Sequence, residues 1–119
     1  MNTLAQLERC ILVGVDLGAT GYDPDLEEFG LLAASCGFTA CATLRARRKA
    51  PDAATFIGSG KVQELAALVQ QFQPALVLID QTISPIHQRN LARALSCPVM
   101  DRTGLILEIF AQRAKSHEG

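Results

Sequence analysis

The chain has 119 residues, a net charge of −1, 49% hydrophobic residues and 19% charged ones. That length builds one domain able to bury roughly two thirds of its unfolded surface, and that balance excludes a disordered segment. No apolar run reaches the roughly 18 residues of a membrane span, and residues 1–7 lack the basic start of a signal peptide, so the sequence reads as cytoplasmic.

The elements follow in chain order. Cys10-Ile11-Leu12-Val13-Gly14-Val15-Asp16 is a near-continuous apolar run, the pattern of a strand covered on both faces. Gly18, Gly21 and Pro24 mark a loop, and Asp23 is expected to cap a helix with Pro24 in its first turn. Leu26, Phe29, Ala33 and Cys36 recur at helical spacing until Gly37. Thr39 to Arg45 reads as a second strand, at an edge.

A loop through Pro51 leads to Gly58-Ser59-Gly60-Lys61, after which Val62, Leu65, Ala66, Val69 and Phe72 share a helical face that ends before Pro74. Ala75 to Asp80 is a second doubly buried strand. Ser84-Pro85 starts a helix that runs to about Leu95. Pro98 to Asp101 is a short last strand, and Thr103 is expected to cap a final helix. Strands alternating with helices predict a small three-layer α/β domain: a four-stranded, mainly parallel sheet in the order 2-1-3-4, with helices on both faces. The chain shows no internal repeat, low-complexity segment or interdomain linker. The last helix is apolar enough to need cover on more than one side. The sequence therefore predicts that residues 1–119 are one module of a larger protein, able to form a homodimer through the face so exposed.

Three strands end in a carboxylate: Asp16, Asp80 and Asp101. Ligands of open α/β sheets sit beyond the strands' carboxyl ends, so these three could hold a divalent metal for a phosphoesterase. The plainer account is that each faces the N-terminus of the next helix. Gly58, Ser59, Gly60 and Lys61 could cradle a phosphate with free N–H groups or simply make a tight turn. A P-loop would need glycine where Thr55 stands and a hydroxyl where Val62 stands.

Charge is unevenly spread, with one base against six acids in residues 1–44 and ten against six in residues 45–119. Arg45, Arg47, Arg48 and Lys49 cluster, and Arg89 and Arg93 lie four apart on one helix face, so both groups suit a polyanion as well as a solvated surface. Cys10, Cys36, Cys41 and Cys97 contain no C-x-x-C pair and read as buried reduced thiols. His87 reads as a surface helix residue, and no catalytic Ser-His-Asp or Cys-His pairing stands out.

Several segments together resemble the N-terminal domain of the HflX family of ribosome-associated GTPases. They are Arg48-Lys49-Ala50-Pro51, Phe56-Ile57-Gly58-Ser59-Gly60-Lys61, Ser84-Pro85-Ile86-His87-Gln88-Arg89-Asn90-Leu91 and the run from Asp101 to Ala114, with Glu118-Gly119 after it. The resemblance implies a parent that continues into a helical hairpin and a GTP-binding domain using GTP and Mg²⁺. It implies binding to the large ribosomal subunit, with GTP hydrolysis coupled to ribosome splitting or rescue under stress, and in some members an ATP-linked activity. The Walker motif, switch regions and base-recognition motif of the GTPase do not occur in this sequence. The chain is therefore expected to be inactive alone and to act as a ribosome-binding and regulatory module, through rRNA contacts or contacts with the parent's GTPase domain.

Overall fold

A computed structural model describes residues 8–16, 25–48 and 50–118. Four strands, β1 (Arg9–Asp16), β2 (Thr39–Arg47), β3 (Leu76–Ile79) and β4 (Val99–Asp101), form one sheet in the order β2-β1-β3-β4. All three pairings are parallel. Four helices join them: α1 (Leu26–Ser35), α2 (Ser59–Phe72), α3 (Pro85–Leu95) and α4 (Arg102–Glu118).

Alternation along β1 and β3 divides the core in two. Ile11, Val13, Val15, Val77 and Ile79 face Leu65 and Val69 of α2 and Leu91 and Leu95 of α3. Cys10, Leu12, Leu76 and Leu78 face Leu26, Phe29 and Ala33 of α1 and Leu105 of α4. Two helices therefore cover each face, as right-handed crossovers require when strand order reverses beside β1.

The helix starts depart from expectation in two places. Asp25 caps α1, its carboxylate accepting from Glu28 N at 3.1 Å; Asp23 and Pro24 lie outside the described residues. Asp101, not Thr103, receives the start of α4, with Gly104 N donating to Oδ1 at 2.8 Å. Thr103 lies inside the helix, its hydroxyl 2.8 Å from that of Thr82. Ser84 caps α3 through His87 N, with Pro85 in the first turn, as the sequence predicts.

β2 is an edge strand, and longer than predicted. Cys10 pairs with Ala40 and Ile11 with Ala42, so Cys41 is an extra residue in a bulge. A bulge, with the charges of Arg45 and Arg47 further along, discourages another strand from adding to this edge. Ala42 and Leu44 pack against the α2–α3 core, which turns Thr43, Arg45 and Arg47 toward the α1 layer. The inner side of α4 is pinned by buried Leu105 and by Gln112 Nε2 donating to Cys36 O at 3.2 Å. Its outer side leaves Leu107 63% and Phe110 60% exposed.

Candidate functional site

The carboxyl ends of the strands are closed by the protein's own polar network. Asp80 is 2% exposed and accepts from Arg102 Nη1 at 2.8 Å. The same guanidinium lies 3.9 Å from Glu28 and 6.0 Å from the centre of the Phe29 ring, tying α4 to β3 and α1. Asp101 spends its two oxygens on Gly104 N and Ile83 N. Asp16 pairs with Arg47 at 3.5 Å. Among the described residues no group of three or more metal-ligating side chains comes together. The three aspartates thus cap helices and pair with arginines, and the metal alternative gains nothing from their geometry.

The turn at Gly58 is tight and crowded. Gly58 has φ 88°, a conformation suited to glycine, and a Cβ there would run into the Arg48 guanidinium. Ser59 and Gly60 open α2, whose N-terminus has no side-chain cap. Lys61 turns along its own helix to Glu64 at 3.0 Å. The arrangement leaves helix-start amides for an anion but commits Lys61 to a neighbour.

The segment before this turn is anchored at several points. Asp52 accepts from Ala54 N and Thr55 N, each at 3.0 Å, and pairs with Phe56 across a short bridge. These backbone donors, with Thr55 first, hold the Asp52 carboxyl below its ordinary value. Arg48 Nε donates to Ala50 O at 3.0 Å. From 34 residues further on, His87 Nε2 reaches Ala53 O at 3.0 Å, and Asn90 Nδ2 donates to Ala54 O at 2.7 Å. His87 also stacks edge-on against Phe56 at 5.5 Å. The expectation that His87 is a plain surface residue is therefore corrected: it is half-buried and holds the loop. Sequence reasoning missed Asn90, and the only signal for either was its place in the family-like run from Ser84 to Leu91.

The basic residues divide between the two layers rather than forming one patch. Arg45 and Arg47 lie by α1, where Arg47 is paired and Arg45 also has a partner. Arg48 serves the loop, and Lys49 lies outside the described residues. Arg89 and Arg93 are exposed on α3, across the sheet, a helix whose sequence PIHQRNLARAL has no acid. Neither has a hydrogen bond or ion pair among the described residues.

Three thiols are buried, and Cys41 is half-exposed rather than buried. Burial, aided by neighbouring Cys41, pushes Cys10 up to about 12, and burial also raises Cys36 and Cys97. A thiol reagent at neutral pH is expected to modify Cys41 first, and the others only on unfolding. Above 9.0 the unfolded Cys10 loses its proton while the folded one keeps it to about 12, so stability should fall across that window. Urea melts at rising pH check this; a flat profile would show that Cys10 ionises freely in the fold.

A family model described as GTP-binding GTPase N-terminal matches residues 23–111, and the chain belongs to that family of GTPase N-terminal domains. Its relatives include GTPase HflX of Escherichia coli strain K12, 44% identical over 112 residues, covering 94% of this chain and 26% of the relative. GTPase HflX of Magnetococcus marinus is 40% identical over 94 residues, covering 79% of this chain and 22% of the relative. The chain thus spans about a quarter of the length of these relatives. The crystal structure of SsGBP with GDP superposes with a TM-score of 0.64 at 21% identity, over 87% of this chain and 29% of that one. A GTP-binding protein from the archaeon Sulfolobus solfataricus, also with GDP, gives 0.62 at 21%, over 87% and 30%. At that identity the likeness shows the shared fold.

Proposed function

We propose that this domain is the ribosome-binding and regulatory N-terminal module of an HflX-like GTPase. Its parent binds the large ribosomal subunit in the cytoplasm and couples GTP hydrolysis to ribosome splitting or rescue. GTP and Mg²⁺ belong to the parent's GTP-binding domain, which follows a helical hairpin. Beyond family membership, one observation supports ribosome contact: Arg89 and Arg93 stand exposed on an acid-free helix, with no ion pair among the described residues. Such cations meet phosphates and supply affinity that falls with salt. The exposed Leu107 and Phe110 on α4 suit the parent's own downstream domains, with a second copy of the chain as the rival occupant.

Co-sedimentation with large ribosomal subunits from Escherichia coli tests this reading. The chain is expected to pellet with them at low salt, and Arg89→Glu with Arg93→Glu to lower the bound fraction at least tenfold. Salt-sensitive binding that the double variant leaves unchanged would rule out α3 as the contact. A second reading, nucleotide binding at Gly58–Lys61, draws support from the uncapped start of α2. Titration with labelled ATP decides it, and absence of saturation at millimolar nucleotide ends it.

A further inference from the structure

The loop between Arg48 and Gly58 is held far more firmly than a connector needs to be. Side chains from the end of β2, from the loop itself and from α3 all fix it, through Arg48, Asp52, His87 and Asn90. Phe56 sits at φ 73°, a conformation that a bulky residue adopts only where its surroundings impose it. The carbonyl of Ala53 can only accept, so Nε2 of His87 donates in this contact. Nδ1 is buried with no hydrogen-bond partner among the described residues, an arrangement that costs stability. What the clamp holds in place is a tip of small, exposed side chains: Pro51, Ala53 and Ala54. On α3, Arg93 stands three residues after Asn90 and shares its face, and Arg89 lies one turn before Arg93.

We propose that this loop tip and the exposed side of α3 form one preorganised surface for an RNA backbone. Arg89 and Arg93 meet phosphates, while His87 and Asn90 are positioning residues that keep the loop beside them. The inference rests on the ribosomal reading above and adds where the RNA lies and what shapes the site. Small side chains at the tip let a sugar–phosphate chain approach the guanidinium groups without a steric wall. The opposite basic group does not compete, because Arg45 and Arg47 are already engaged. A loop fixed in advance loses less freedom on binding, and affinity rises accordingly.

The test uses the 119-residue chain with large ribosomal subunits from Escherichia coli. A photoreactive benzoylphenylalanine at position 53 is expected to crosslink to ribosomal RNA, and one at position 43 on the opposite layer to give none. His87→Ala and Asn90→Ala should each weaken binding about tenfold without changing its slope against log salt, since no phosphate contact is lost. Arg89→Gln should lower that slope by about 0.7–0.9, and His87→Gln, which restores a donor, should recover most of the affinity. Thermal melts show which variants remain folded, and Asn90→Ala serves if His87→Ala does not. Folded clamp variants that bind like the parent chain, or crosslinks at position 43 or to ribosomal protein, overturn the inference and leave ribosome binding standing. No binding by the unaltered chain overturns both.

Discussion

Arg102→Ala is expected to destabilise the domain by about 3 kcal/mol, the lower end of what breaking a buried ion pair costs. The reason lies in the asymmetry of the pair. Asp80 is 2% exposed, so losing Arg102 takes a charged hydrogen bond from a carboxylate that water cannot readily reach. The Arg102 side chain is 36% exposed, so losing Asp80 instead lets the guanidinium hydrate. Asp80→Asn should therefore cost less, about 1–2 kcal/mol. Arg102 also contacts Phe29 and Glu28, but the first is a weak cation–π contact and the second an exposed ion pair, each worth at most about 1 kcal/mol. Urea denaturation of both variants checks the order. If Asp80→Asn proves the more damaging, the burial asymmetry does not govern the pair.

Phe29→Ala should be more severe, about 3–5 kcal/mol. Phe29 is fully buried and is the largest fully buried side chain among the described residues. It stands in the smaller of the two core clusters, where α1 contributes buried Leu26, Phe29 and Ala33, with Cys36 at its end and half-buried Leu32 beside them. With the ring gone, little apolar contact holds α1 to β1. A lowered denaturant slope as well as a lowered midpoint is expected, because a native state with α1 loosened exposes less additional surface on unfolding. Leu65→Ala, in the larger cluster, should cost about 2–5 kcal/mol and keep the slope. A Phe29→Ala loss below about 1 kcal/mol would mean the α1 layer adds little to the fold.

Much of the architecture was legible because its signals are local. The apolar runs of β1 and β3, the Ser84-Pro85 start of α3 and the alternation of strands with helices gave the sheet order without any contact being known. The family was legible too, from runs such as Asp101 to Ala114. The candidate surface was legible only in part. Arg89 and Arg93 share a face by spacing alone, but nothing in the chain says that Arg45 and Arg47 lie across the sheet from them. The spacing pointed to Asp23 and Thr103 as helix caps, where the folded chain uses Asp25 and Asp101.

Residue order by itself determined the element types, the parallel sheet and the membership of a GTPase N-terminal family. Only the folded molecule decided that Asp80 would pair with Arg102, and that His87 and Asn90 would hold a loop more than thirty residues behind them. The physical reason is range. Periodicity, caps and turns act within a few residues, whereas pairing and clamping join side chains distant in sequence, whose meeting depends on how crossovers stack the layers.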